Sequence, residues 1–410
     1  MSASATLAER PAEEYRVRDF YEAFTQTKPG TLGGRYLRQF WHPIARSVDL
    51  APGQTRPIRL LSENFTLYRG ETGTPHLTVE RCPHRRTQLS VGMVEGDAIR
   101  CIYHGWKFGA DGKCMERPAE PGPTHDRIRV ATYPVGEFLG LVYAFIGEGE
   151  APAFPPYAGF GAEGVIETDE ELFEYNYFQG WENDWDLYHA AYTHAMGELH
   201  GPISPDARSA FYQSMTDTSV YTETEYGIVR RLRVPNGMEN ASVLFMPATV
   251  RLLIPTFNEA SRRGLGPQFR ETYIIHTPVD DETQMAYLSQ LVPVTGEAAE
   301  EYAKGAAEVA RVRRENISVA AAGREILAGR ATLKQFRDHP VLVAIEDTIA
   351  QGGQGRIVDR SRELLGKSDA GVVYLRQLMA RELGRLADGK PTKQWSVMTE
   401  PPAGMTMMKF

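Results

Sequence analysis

The sequence predicts an α+β protein of two domains, the first all-β and the second a mixture of strands and helices. Three observations predict it. A chain of 410 residues is too long for one ordinary core and long enough for two domains that each bury a substantial apolar interior. Its first part reads as short β segments split by turns, whereas its last part reads as helices. Between them lies Ala151-Pro-Ala-Phe-Pro-Pro-Tyr157, which can neither fill a ladder nor continue a helix.

The boundaries drawn from this pattern are residues 1–35 for an N-terminal helical arm, 36–150 for the β domain and 151–410 for the second domain. In the β domain the strand-like runs are Thr66–Arg69, His76–Val79, Ala98–Cys101 and Leu141–Ile146, with Ala110–Lys113 as a turn between two of them. Farther on, Ser242–Met246, Val250–Ile254 and Glu271–His276 continue the strand pattern, and Asn183–Met196 reads as a helix among them. Thr295 stands where it can cap an Ala- and Glu-rich helix running through Arg314, and Pro340–Ala350 and Asp369–Leu386 read as two more. There is no internal repeat. Gln351-Gly-Gly-Gln-Gly355 lacks the strand–turn–helix setting of a dinucleotide fingerprint, so NAD binds elsewhere if it is used.

Lys and Arg number 45 against 53 Asp and Glu, and the net charge of −8 argues against a nucleic-acid partner and supplies no polybasic membrane patch. A small organic substrate fits better. The N-terminal stretch has no apolar h-region, and apolar runs such as Leu139–Ile146 have the length of strands, so a soluble, cytoplasmic protein is expected. The three cysteines, Cys82, Cys101 and Cys114, cannot all pair within the chain, which turns attention from disulfides to metal chemistry. Cys114 has no histidine nearby and reads as a small buried hydrophobe.

Cys82-Pro-His84 and Cys101-Ile-Tyr-His104 form C-x-H, then sixteen residues, then C-x-x-H, each pair at the end of a strand where a Gly- or Pro-bearing loop begins. Two thiolates can hold one iron of a [2Fe–2S] cluster and two neutral imidazoles the other, a substitution that raises the reduction potential to about −150 to +300 mV. Tetrahedral zinc also accepts two cysteines and two histidines, but the C-x-H spacing and the residues around it argue against zinc.

The remaining residues need a reason too. Asn183-Asp-Trp-Asp186-Leu-Tyr-His189-Ala-Ala-Tyr-Thr-His194 sets two histidines five apart, with a carboxylate three before the first. On a regular α-helix, positions i and i+5 differ by roughly 140° of rotation, too far to aim both imidazoles at one ion, so a distorted helix such as one with a π-bulge is expected. Two histidines plus one carboxylate make the facial triad of non-heme Fe(II) oxygenases. Each residue has a bland reading as well, a satisfied core histidine or an acid on a solvated face.

CPHR at 82–85 and CIYHGW at 101–106 resemble the two cluster loops of the Rieske family, with Pro118 or Pro121 for the third. Respiratory Rieske proteins carry an additional disulfide-forming cysteine in each loop; those positions read Thr87 and Tyr103 here, which points to the oxygenase or ferredoxin branch. From Gly30 to Leu383 the chain is similar to oxygenase α subunits of the phthalate dioxygenase and aromatic O-demethylase group, and the spacing of Asn183 and Asp186 matches that group. The resemblance implies a Rieske domain followed by a helix-grip (START-like) domain, an antiparallel sheet with helices that hold a mononuclear iron. Matching the segment Gly355–Asp369 to the family places the carboxylate ligand at Asp347, with adjacent Glu346 as the alternative. Asp186 would bridge an iron-ligating histidine to His104 of a neighbouring subunit, which implies a head-to-tail homotrimer, and Trp106 would shield the cluster.

With O2 as co-substrate, the resemblance implies that the cluster relays single electrons from a separate NADH-dependent reductase bearing FMN and a plant-type [2Fe–2S] cluster. The reaction it implies is hydroxylation or oxidative O-demethylation of an aromatic acid. An inward arginine would pair with such a substrate; Arg230, Arg231, Arg233 and Arg251 are candidates, each more readily exposed than inward. The sheet from about 205 to 290 should line the pocket, and Phe178 and Trp181 lie near the ligands in sequence. The rival reading is a Rieske electron carrier without oxygenase activity, which the triad pattern disfavours.

Overall fold

The computed structural model describes residues 15–120, 122, 127–161, 163–195, 204–233, 239–255 and 269–400. Two compact units emerge, one formed by Thr27–Pro156 with Thr277–Asp280, the other by the remainder of the chain. The junction at Pro156/Tyr157 falls inside the Pro-rich stretch, and among the described residues Tyr15–Gln26 group with the C-terminal unit. Among the described residues, no helix is long and apolar enough to cross a membrane.

The smaller unit contains three antiparallel sheets and one short helix, Leu32–Leu37. A four-stranded sheet, Met93–Glu95, Ala98–Arg100, Lys107–Phe108 and Cys114–Glu116, carries the second cysteine loop between its middle strands. Gly96, at φ +62°, opens the two-residue turn that joins the first pair. At Gly112, φ +80°, a Cβ would stand 2.1 Å from the Val130 carbonyl, so only glycine fits the turn before Cys114. Cys114 itself is buried among Tyr68, Leu89, Ile99 and Phe108, as a small apolar residue. The run expected through Ile146 stops as a strand at Ala144.

In the larger unit, seven strands make one antiparallel sheet: β1 (Val165–Phe173), β2 (Val220–Glu223), β3 (Ile228–Arg233), β4 (Glu239–Phe245), β5 (Thr249–Pro255), β6 (Phe269–Pro278) and β7 (Gln284–Val292), ordered β1-β7-β6-β5-β4-β3-β2. Register fixes the faces. Arg230 lies opposite Ser242, Leu244 opposite Val250, and Val250 opposite Ile274, so these residues and His276, two beyond Ile274, share one face. Val229, Val243, Arg251 and Tyr273 share the other.

The first face meets helix α1 (Tyr177–Trp185), through Asp184 to His276 and Trp185 to Arg230. Seven of the nine α1 residues are buried, among them Tyr177, Phe178, Trp181 and Trp185 and the polar Gln179 and Glu182, so this helix lies inside the unit. Among the described residues the other α-helices are α2 (Ala190–Thr193), α3 (Pro205–Thr218), α4 (Gly296–Glu315), α5 (Val319–Leu327), α6 (Leu342–Gly352) and α7 (Ala370–Ala387). After β1 the strands therefore resume at Val220, not near 205: Ser204 accepts the Ala207 N–H and Pro205 follows it, a helix start signal. Thr295 precedes α4 but its side chain makes no capping bond.

Candidate metal centres

The two cysteine loops are conformational twins. In the first, Cys82 N–H donates to the Thr87 carbonyl at 2.9 Å and Arg86 N–H to the Cys82 carbonyl at 3.0 Å. In the second, Cys101 N–H donates to Trp106 and Gly105 N–H to Cys101 at the same 2.9 and 3.0 Å. Arg86 and Gly105 hold the same place in these turns, both left-handed, at φ +63° and +72°. Pro118 rests against Gly105, with its Cγ 3.1 Å from where a Cβ would sit, as a third loop should; Pro121 lies outside the described residues. Arg100 donates to the Gly105 carbonyl at 2.8 Å while pairing with Glu95 and Glu116, which ties the second loop to the sheet.

Both cysteines are buried, and the His84 and His104 rings lie 4.5 Å apart. Trp106 stacks on His84 with centroids 4.6 Å apart and planes 3° from parallel, shielding that imidazole. His84 Nδ1 is buried with no hydrogen-bond partner, a nitrogen lone pair or N–H left unspent. Burial pushes the Cys82 thiol up to about 11, with the neighbouring Cys101 thiol adding to it. An orphaned imidazole nitrogen beside two buried sulfurs fits a cationic iron–sulfur group.

The expected helix over 183–196 is interrupted, and the part at Met196 lies outside the described residues. No π-bulge is needed. Helix α1 ends at Asp186, whose backbone is extended (φ −85°, ψ 101°), and the chain restarts as the single turn α2. Asp186 causes the break: its Oδ1 accepts the N–H groups of Tyr188 at 3.0 Å and His189 at 3.2 Å, offering those donors an alternative to the helix. His189 and His194 become the two flanking residues of that one turn, which is how a spacing of five delivers both rings to one place.

That place is shared with Asp347 of α6. Its Oδ1 lies 3.5 Å from Nε2 of His189 and 3.5 Å from Nε2 of His194, and the three ligand atoms lie within 4.8 Å of one another. Burial works against the charged form of both Asp347 and His189, yet their mutual attraction outweighs it, leaving the acid below and the imidazole above its ordinary range. Two imidazoles and one carboxylate in this arrangement are the donor set that suits a divalent non-heme iron.

The surrounding groups orient the three. Asn183 donates to Asp347 Oδ1 at 3.2 Å. His194 Nδ1 bonds Glu346 Oε2 at 3.2 Å, and His189 Nδ1 bonds the Asp186 carbonyl. Glu346, fully buried, thus supports a histidine from the far side of its ring instead of joining the triad.

Other groups were not foreseen. Asp184 binds His276 Nε2 at 2.9 Å and Gln284 binds His276 Nδ1 at 2.7 Å, a buried chain from α1 into β6 and β7. Asp184 stood in the same short motif, and His276 stood at a position whose strand alternation aims it inward, so the signal was present. Phe178 and Trp181 pack elsewhere: Phe178 stacks on Phe24 at 4.8 Å and lies beneath Arg360, with Trp181 at its edge. Of the four candidate arginines, Arg231 and Arg233 are exposed, Arg251 is buried against Glu271 on the far face of the sheet, and Arg230 is buried on the face toward α1.

Residues 40–134 match the family model of the Rieske [2Fe-2S] domain. Over 377 residues, 89% of this chain and 80% of the relative, the sequence is 31% identical to the 5,5'-dehydrodivanillate O-demethylase oxygenase subunit of Sphingobium sp. (strain NBRC 103272 / SYK-6). It is 26% identical to the phthalate 4,5-dioxygenase oxygenase subunit of Pseudomonas putida, over 87% of this chain and 84% of that one. The fold is similar to the terminal oxygenase of carbazole 1,9a-dioxygenase from Nocardioides aromaticivorans IC177, with a TM-score of 0.63 at 17% identity, covering 90% of this chain and 99% of that chain.

Proposed function

The chain belongs to the Rieske non-heme iron oxygenases as a terminal oxygenase subunit, and from that premise we propose that it hydroxylates or oxidatively O-demethylates a small aromatic carboxylate with O2. Its electrons come from a separate NADH-dependent flavin/[2Fe–2S] reductase. Cys82, His84, Cys101 and His104 hold the Rieske cluster, and His189, His194 and Asp347 hold a mononuclear iron(II). The observation that carries this reading is the convergence of those last three residues, which a pure electron carrier would not need. Both full-length relatives named above act, by name, on aromatic carboxylates.

When bound, the mononuclear iron supplies dioxygen activation and the cluster supplies single electrons. The chain's own groups do the positioning. Glu346 and the Asp186 carbonyl each take the Nδ1 side of a histidine, which holds the ring in the tautomer whose Nε2 lone pair faces the site. Asn183 occupies one oxygen of Asp347 and so limits how that carboxylate turns. Asp186 spends Oδ1 on two backbone donors and meets the His189 ring through its backbone carbonyl; through its other carboxylate oxygen it would reach His104 of the neighbouring subunit in a homotrimer, so that one subunit's cluster would serve its neighbour's iron.

The test is anaerobic iron analysis and electron paramagnetic resonance, followed by oxygen uptake with phthalates and methoxybenzoates in the presence of a cognate reductase. Asp347→Asn should lose the mononuclear iron and oxygen uptake while keeping the reduced-cluster signal. A wild-type protein that binds zinc alone, or an Asp347→Asn protein that still consumes oxygen with substrate, would overturn the reading.

A further inference from the structure

Gln179 is 1% exposed, and both ends of its amide are engaged. Its Nε2 donates to the Gln351 carbonyl at 3.1 Å and to the Gly355 carbonyl at 3.0 Å, while its Oε1 accepts the Val358 N–H at 3.1 Å. Two carbonyls on one side and an N–H on the other fix which way the amide lies. All three partners are main-chain atoms, in the last turn of α6 and the segment that follows it, and none belongs to a metal ligand.

The same face of α1 reaches α6 a second time. Gln179 and Asn183 are four residues apart, as are Asp347 and Gln351, and Gln179 meets Gln351 where Asn183 meets Asp347. The two helices therefore run antiparallel, tied by two rungs about 6 Å apart along their axes. The rungs differ in kind. Asn183 holds a side chain, whereas Gln179 holds the backbone of α6, which cannot turn or slide without breaking that bond. Against α5, α6 clusters Ile345 with Val319 and Ala322, and such apolar contact has no preferred direction. Adjacent helical residues point about 100° apart, so the rotation of α6 decides which of Glu346 and Asp347 faces Nε2 of the two histidines. We propose that Gln179 is a positioning residue of the mononuclear iron site: its grip on the end of α6 sets the rotation that makes Asp347 the ligand and leaves Glu346 behind His194. The inference rests on the function proposed above and adds a residue that touches none of the three ligand side chains.

The experiment uses the full-length protein with its cluster intact and oxidised. Iron(II) affinity is measured by anaerobic competition with a colorimetric chelator, and ligand geometry by electron paramagnetic resonance of the nitric oxide adduct, to which the oxidised cluster contributes no signal. Gln179→Met, close in volume, should bind iron(II) about 10-fold more weakly than wild type and give a heterogeneous nitric oxide signal, with cluster absorbance unchanged. Tyr177→Phe is the control. It deletes another buried bond of α1, from the Tyr177 hydroxyl to the Phe24 carbonyl at 2.9 Å, and should lower the melting temperature while keeping wild-type iron affinity and signal. Gln179→Asn, an amide one methylene short of its partners, should fall between wild type and Gln179→Met, and it carries the comparison if the methionine variant does not fold. Wild-type affinity and signal in the Gln179 variants, or changes no greater than those of Tyr177→Phe at matched stability, would overturn the proposal and leave Gln179 a packing residue. Failure of the oxygenase reading looks different: wild type would then bind no iron(II), or Asp347→Asn would bind it equally tightly.

Discussion

A Cβ on Gly180 would stand 2.4 Å from Nδ1 of His276. The imidazole is seated between Gly180 and Asp184, one turn apart on α1, with Gln284 closing its other nitrogen. Alanine is ordinarily the better helix residue by about 1 kcal/mol, but overpacking a filled site costs about 1–3 kcal/mol and displacing His276 also breaks a buried ion pair. Gly180→Ala should therefore lower unfolding stability by about 2 kcal/mol in urea titrations. A stabilised variant would mean that His276 moves freely and does not anchor α1.

Asp186 ends α1 and, in the function proposed above, also bridges the two metal centres; asparagine separates the two. An amide oxygen can still accept the Tyr188 and His189 N–H groups that end α1, so Asp186→Asn should fold, bind both metals and melt within a degree or two of wild type. Its charge is gone, however, and turnover at saturating reductase should collapse. Asp186→Ala loses the turn as well and should cost about 1 kcal/mol in addition. Unimpaired product formation by Asp186→Asn would remove Asp186 from electron transfer.

The same motif marks how far the sequence could be read. Cys82, His84, Cys101 and His104 were legible because ligand identity and spacing are local, and the loops that present them close within five residues. His189 and His194 were legible as a pair, but the way they meet was not. Asn183–Met196 has helical composition throughout, and only the side chain of Asp186, taking two backbone donors, ends the helix there. Glu346 and Asp347 are neighbours on one helix and equally able to ligate; which one faces the histidines' Nε2 atoms is set by the rotation of α6, a tertiary matter. Arg230 and Arg251 look alike in sequence because register alone puts them on opposite faces.

The equivalence of Arg86 and Gly105 predicts opposite responses to similar changes. A left-handed backbone costs a residue with a side chain about 1–2 kcal/mol, a cost Arg86 already bears at φ +63°. Arg86→Gly should relieve it, partly offset by about 0.4–1 kcal/mol of added freedom in the unfolded chain, and leave stability equal or slightly raised. Gly105→Ala should be destabilising by about 1–2 kcal/mol, since it acquires the same strain and brings a methyl to 3.1 Å from Pro118 Cγ. Thermal melts followed at the cluster's visible absorbance would check both; matching losses would show that the loops are not equivalent.

Glu182 sets an acid limit on stability. Its Oε2 pairs with Arg360 at 2.7 Å and its Oε1 with Arg376 at 2.6 Å, while Arg376 also meets Glu363 at 2.5 Å. Burial alone would raise the carboxyl's pKa, but the two guanidinium groups outweigh it and hold it below the ordinary value. Because the folded value is depressed, the contribution is present above the unfolded pKa, about 4.3, and disappears as pH falls through the folded value. Removing one partner of such a buried network costs about 3–5 kcal/mol, so Glu182→Gln should lose about that much at pH 7, where it strands Arg360. The gap between wild type and variant should stay level from pH 7 to about pH 5 and narrow below about pH 4. Urea titrations across that range measure it, and a gap that stays constant in acid would mean that packing around Glu182, not its charge, supplies the stability.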